Sequence, residues 1–236
     1  MTSSGGGAAI IRISDKKVMY YVYAQGNPHS AEILPDGNLV VATTKKGTSE
    51  YGEKLSVWKV DTLNSPATQA NQYVELSSAH NAVWDKSRQL LWATAGAERR
   101  LRTYTYNFDG NNPQLTQTAE EYTIPAVTPH ELFPVDGEYA MWLSTTNHVY
   151  KFDASTKVFS EPLGTWKQIK SVSSGPSGYG TLLLKPVEGE YWSDQIINSE
   201  GEVAYSGDGF KMYKARWFIN NLFSYPENDD FKQPGE

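Results

Sequence analysis

Residues 79–94 read Ala79-His80-Asn81-Ala82-Val83-Trp84-Asp85-Lys86-Ser87-Arg88-Gln89-Leu90-Leu91-Trp92-Ala93-Thr94, and the same register occurs twice more. Upstream, Pro28-His29-Ser30 leads to Leu39-Val40-Val41-Ala42-Thr43. Downstream, Pro129-His130-Glu131 leads to Ala140-Met141-Trp142-Leu143-Ser144. The histidines fall at positions 29, 80 and 130, which are 51 and 50 residues apart. Twelve residues after each comes Val41, Trp92 or Trp142, and fourteen after each comes Thr43, Thr94 or Ser144. Self-similarity at a period of about fifty residues is the signature of a repeat architecture.

Between each histidine and its second apolar run lies a turn: Pro35-Asp36-Gly37-Asn38, Asp85-Lys86-Ser87-Arg88 or Val135-Asp136-Gly137-Glu138. Asp-Gly and Asn accept the positive φ that tight hairpins demand. Two further strand-like runs follow in each unit. They are Lys54–Trp58 and Gln72–Leu76, then Leu101–Tyr106 and Glu121–Ile124, then His148–Phe152 and Val158–Phe159. Apolar and polar residues alternate in these runs, and no stretch sustains a helical period. Four short strands per repeat of this length describe an all-β fold, a β-propeller of four-stranded blades. A fourth unit lacks the histidine, with strands expected at Lys170–Ser173, Thr181–Leu184, Trp192–Ile197 and Glu202–Tyr205.

The ends complete the expected count. Two strands, Ala8–Ile13 and Val18–Tyr23, precede the first full unit, and one closing strand, Tyr213–Phe218, follows the fourth. Either the two ends share a fifth blade or the chain starts within an N-terminal one; the second is the expectation, with four complete blades and a partial N-terminal one in a single domain over residues 1–225. Residues 226–236, with Asn228-Asp229-Asp230 between Pro226 and Pro234, read as a disordered polar tail.

Composition narrows the function classes. The 236 residues carry a formal charge of −6 with Lys and Arg scattered, so no basic stripe is present for nucleic acid. There is no cysteine, which removes disulfide and thiolate chemistry. No apolar run approaches the roughly 20 residues of a membrane-spanning helix. The opening Met1-Thr2-Ser3-Ser4-Gly5-Gly6-Gly7 has neither the basic nor the apolar region of a signal peptide. No Gly-x-Ser-x-Gly elbow, P-loop, dinucleotide fingerprint or His-Glu-x-x-His is found.

Gly5-Gly6-Gly7-Ala8-Ala9-Ile10-Ile11-Arg12, Gly26-Asn27-Pro28-His29-Ser30-Ala31-Glu32, Ala79 to Asp85, Pro129-His130-Glu131-Leu132 and Tyr213-Lys214-Ala215-Arg216-Trp217 resemble an uncharacterised family of bacterial propeller proteins frequent in Bacteroidetes. The resemblance covers nearly the whole chain. It implies a parent longer at its N-terminus, with six blades, and a periplasmic or secreted location. It brings no established activity. A second resemblance concerns a site alone: oligogalacturonate lyases are propellers that hold a divalent metal with three histidines and a glutamine. Only the axial histidine cluster carries over, to His29, His80 and His130, and no matching glutamine is identified.

In a propeller the first strand of each blade lines the central channel, so the three histidines are expected to gather at one channel mouth. Three neutral imidazoles with an open position suit a catalytic divalent metal ion. Two other readings stay open: a structural role bonded to neighbouring backbone, and metal-free acid–base work. Glu32 and Glu131 follow their histidines by odd offsets, so in a regular strand they face away from them. They qualify as ligand contacts only where the histidine sits ahead of the strand. Lys170 stands near the place of the missing fourth histidine. Lys214 and Arg216 on the closing strand add a cationic side suited to an acidic sugar or another carboxylate, unless they are solvated or paired with acids. Trp92 and Trp142 read as core between blades. Three functions remain: a propeller binding a glycan or small polar ligand at the channel mouth, a metal-dependent carbohydrate lyase or hydrolase, and a protein-interaction scaffold.

Overall fold

The structure, a computed structural model, describes residues 1–47 and 52–224. Among them all regular structure is β, and no helix is long and apolar enough to cross a membrane. The expected tail at 226–236 lies outside the described residues. The chain divides into two compact units, one beginning at Met1 and running to Thr123, the other beginning at Ile124.

The first unit holds three antiparallel sheets, each a meander in chain order. Sheet one is β1 (Thr2–Ser3), β2 (Gly7–Ile11) and β3 (Val18–Tyr23). Sheet two is β4 (Asn27–Ile33), β5 (Leu39–Thr44), β6 (Lys54–Trp58) and β7 (Gln72–Glu75). Sheet three is β8 (Ala79–Asp85), β9 (Leu90–Ala95), β10 (Arg100–Tyr106) and β11 (Leu115–Thr123). The second unit holds two sheets. Sheet four is β12 (Pro129–Pro134), β13 (Ala140–Thr145), β14 (Val149–Asp153) and β15 (Val158–Phe159). Sheet five is β16 (Ser171–Ser173), β17 (Leu182–Leu184), β18 (Gln195–Asn198) and β19 (Val203–Ser206). Among the described residues these are blades of a β-propeller, four of four strands and one of three.

Packing explains why the second strand of each repeat carries apolar residues on both of its faces. In β5 every residue is buried, because a blade between two others has no solvent face. Leu39 and Val41 pack with Ala8, Tyr20, Val22 and Trp58 on one side. Val40 and Ala42 pack with Leu55, Leu76, Trp84, Leu91 and Tyr104 on the other. Alternate residues of one strand thus feed two cores, and each large side chain so buried stabilises by about 1.5–3 kcal/mol. The fourth-to-fifth contact is made by Val149, Ile169, Val172 and Leu183, with Trp142 packed against them. Trp92 is fully buried, and its Nε1 donates to Asp85 Oδ2 at 3.1 Å. Asp85 Oδ1 in turn accepts from the backbone N–H of Ser87 and Arg88, which closes the expected turn.

One expected strand does not form. Residues 213–218 make no ladder. Instead Ser171 Oγ accepts from Ala215 N at 2.9 Å and donates to Ala215 O at 3.1 Å, and Ser173 Oγ accepts from Trp217 N at 3.0 Å. The segment is bound to hydroxyls that project from β16, not to the backbone groups of a strand. At the start of the chain the short strand β1, within the stretch Met1 to Gly5 that reads as the tail of a strand, pairs Thr2 with Ala8 and Ser3 with Gly7.

Candidate functional site

Each histidine of the repeat occupies a β-bulge. In the β4–β5 ladder Pro28 pairs Thr43 and Ser30 pairs Ala42, so His29 has no counterpart. In the β12–β13 ladder Pro129 pairs Thr145 and Glu131 pairs Ser144, which leaves His130 as the surplus residue. In the β8–β9 ladder the shift falls between Ala79 and Ala82, where His80 and Asn81 together oppose Thr94. Sheet five repeats the arrangement with a lysine. Lys170 N donates to Leu184 O, the residue that Ser171 already pairs. Ser78, Thr128 and Gln168, each two residues ahead of its bulge residue, share a left-handed backbone, with φ of 49°, 57° and 60°. Lys170 therefore holds in sheet five the place that histidine holds in the others.

The bulge corrects the expected facing of Glu131. One extra residue resets the alternation, so two successive side chains leave the strand on the same side. The histidine is neither in a regular strand nor in a loop before one, and Glu131 stands beside His130.

Around this pair the second unit gathers Lys170, Lys214 and Arg216. Lys170 Nζ lies 2.9 Å from His130 Nε2. Lys214 and Arg216 alternate with Ala215 along an extended segment, so both side chains project to one side while Ala215 faces Ser171. A single oxygen, Glu131 Oε1, accepts from Lys214 Nζ at 3.2 Å and from Arg216 Nη2 at 2.6 Å. The guanidinium also lies over the Phe133 ring, 4.3 Å from its centroid, which fixes its plane. The Glu131 side chain is wholly buried, whereas those of Lys214 and Arg216 are 12% and 28% exposed. The carboxylate is the floor of the cluster and the cations are its rim.

Burial sets the electrostatics of the cluster. Burial pushes the Lys214 ammonium down to about pKa 8; Glu131 opposes the shift, while Arg216 and Lys170 add to it. Burial alone lowers Lys170. Burial, then the charge of Glu131, raises the Tyr213 phenol, which stays protonated and able to donate. Among the described residues no carboxylate pairs with Lys170. Sequence reasoning named five of these residues and missed Tyr213 and Phe133, for which only adjacency to Lys214 and to Glu131 offered a signal.

The first unit holds the other two histidines. The rings of His29 and His80 stack at 4.1 Å between centroids, with 28° between planes. His29 Nε2 meets Thr44 Oγ1 at 2.9 Å and Asn27 Nδ2 at 3.1 Å, and His80 Nδ1 meets the Ser78 carbonyl oxygen at 2.9 Å. Imidazole coordinates metals through lone pairs in the ring plane, and two rings lying face to face do not direct them at one ion. Among the described residues no group of three or more His, Cys, Asp or Glu is arranged to hold a metal. Glu32, also buried, accepts from Trp84 N at 3.2 Å and so ties β4 to β8. Glu32 is thus engaged between sheets two and three.

The comparisons agree with this architecture. Among solved structures the chain is similar to a candidate 6-phosphogluconolactonase of Bacteroides uniformis, at 16% identity and a TM-score of 0.59 over 84% of this chain. A second candidate 6-phosphogluconolactonase, from Bacteroides fragilis, gives 12% identity and a TM-score of 0.59 over the same share. The periplasmic gluconolactonase of Pseudomonas aeruginosa gives 14% and 0.53 over 78%. The chain spans 62%, 62% and 53% of those three proteins, and at such identities the likeness is one of fold. No curated protein matches the chain. Residues 1–233 match a family of unknown function, DUF6528, and the chain belongs to it.

Proposed function

We propose that this member of the DUF6528 family binds an acidic carbohydrate at the cluster of His130, Glu131, Lys170, Lys214 and Arg216. The observation that carries the reading is the sharing of one buried carboxylate oxygen by two cations, beside a third cation that faces an imidazole. Buried ammonium groups are costly unless negative charge is brought to them. Perturbed lysines reached from solvent are candidates for a ligand site. Two of the structurally similar proteins are candidate 6-phosphogluconolactonases and the third a gluconolactonase. Those names support a sugar acid or a related anion as the ligand, and the third supports a periplasmic setting.

Isothermal titration with gluconate, glucose 6-phosphate and glucose tests the reading. An acidic sugar is expected to bind, neutral glucose is not, and Arg216→Gln is expected to weaken the acidic ligand at least about tenfold, the worth of one charge-assisted contact. Equal binding of glucose, or no effect of Arg216→Gln, overturns it.

A further inference from the structure

We propose that a second site lies between sheets four and five, an apolar cleft with a cationic lip that takes a medium-chain carboxylate. The proposal is independent of the acidic-carbohydrate reading, which stands or falls by Arg216.

The cleft opens where burial fades across sheet five. Val172 pairs Leu183 and Leu183 pairs Ile197, so the three form a row on one face of the sheet. Val172 and Leu183 are buried with Val149 of sheet four, whereas Ile197 on β18 is only partly covered. The outer strand of sheet four, β15, is two residues long, and its Phe159 packs on Phe152 of its own sheet, 4.7 Å between ring centroids. The chain leading from β15 to β16 brings Trp166 and Ile169 against the row instead. A cleft of about 360 Å³ remains, within the ~300–1,000 Å³ typical of small-molecule pockets. Trp166, Ile169, Leu183 and Ile197 are its apolar lining, and Lys167 and Lys185 line it as well.

The polar groups select the ligand. Lysine stems lie along apolar surface while the ammonium stays in water, which sets positive charge at the lip. Among the described residues no ion pair or hydrogen bond engages the side chain of Lys167 or Lys185, and none accepts from the Trp166 indole N–H. On the turn after β18 the polar side chains are engaged with one another. Asn198 Oδ1 accepts from Glu200 N at 3.1 Å and from Glu202 N at 2.8 Å, and Glu200 Oε1 accepts from Ser199 Oγ at 2.7 Å. Glu200 is the one carboxylate of the lining, so two lysines leave the lip net positive. A sugar ring would set hydroxyls against Leu183 and Ile197, which give them no partner. An alkyl chain is stabilised there by burial, and a carboxylate at its end meets the lysines.

Octanoate, octanol and butanoate are titrated into the protein while the indole N–H signals of its seven tryptophans are followed. The Trp166 signal, assigned by its loss in Trp166→Phe, is expected to move with octanoate. Octanoate is expected to bind about fivefold or more tightly than octanol, as exposed ion pairs allow. Binding is expected to weaken about fourfold for each methylene withdrawn on going to butanoate. Lys167→Gln combined with Lys185→Gln, both at exposed positions, is expected to bring octanoate to the level of octanol.

Octanol matching octanoate overturns the cationic lip, and butanoate matching octanoate overturns the apolar floor. Octanoate binding that spares the Trp166 signal, or no binding at millimolar octanoate, overturns the site. The comparison of the three ligands uses the unaltered protein, so it decides even where a variant fails to fold.

Discussion

Nζ of Lys170 stands 2.9 Å from Nε2 of His130, and the contact joins the bulge residue of one sheet to that of the next. An ammonium has only protons to offer, so the facing imidazole nitrogen is the acceptor and the ring proton sits on Nδ1. Nitrogen-15 spectra of the imidazole are expected to show His130 in the Nδ1–H form at neutral pH. Lys170→Met is expected to release that preference. A ring that is Nε2–H in the unaltered protein would mean that Lys170 is neutral there.

Glu131 is the buried counter-charge of two cations, and its removal strands both. Glu131→Gln keeps the volume and deletes the charge, and breaking a buried pair in this way costs about 3–5 kcal/mol. A fall in Tm on the order of 10 °C is expected for a domain of this size. A loss below about 1 kcal/mol by urea denaturation would show that the cluster is solvated in solution, since exposed pairs are worth no more than that.

Lys214 gives the site a pH dependence with a definite sign. Its pKa is pushed down to about 8 from an ordinary 10.5, with burial the largest cause. Between those values the unfolded chain binds more protons at this residue than the folded one, so its contribution to stability rises with pH. Ligand binding runs the other way, because a bound anion favours the ammonium. Proton uptake on binding is expected near pH 8.5, with affinity falling as pH rises past about 8. Calorimetry in buffers of different ionisation enthalpy reads the uptake directly; a zero result would separate Lys214 from the ligand.

Much of the fold was legible because blades repeat. The hairpin turns, the apolar second strands and the placing of Trp92 all follow from burial on two faces, which leaves a plain mark in composition. The bulges left none. His29, His80 and His130 sit in runs that read as regular strands, and nothing in residue type shows that the ladder skips one position. For that reason Glu131 looked turned away from His130. The segment 213–218 misled for the opposite cause: Lys214-Ala215-Arg216 alternates as a strand does, but its partners are the hydroxyls of Ser171 and Ser173. Five residues of the cluster were nevertheless named from sequence, since charge in an apolar context is conspicuous.

The stack of His29 on His80 bears on metal binding. Face-to-face rings 4.1 Å apart share no point in both planes at bonding distance. Purified protein is expected to hold no stoichiometric divalent metal by elemental analysis, and His80→Ala to leave metal content unchanged. Stoichiometric metal that disappears with His80→Ala would require the rings to turn edge-on, and would restore a metal-dependent lyase or hydrolase as the leading reading.

A residue with no partner across the ladder is released from the rules that govern its neighbours. Every other position in β4, β8 and β12 must suit a face and an opposite strand, so its side chain is constrained from two directions. The bulge position has no opposite residue to match, and it carries histidine in three sheets, with lysine at the corresponding place in sheet five. Chemistry at these places can therefore be exchanged one blade at a time. Positions 29, 80, 130 and 170 form a natural set of variables on a constant scaffold, where a new ligand preference is reached by single replacements and the stability of the fold is left nearly untaxed.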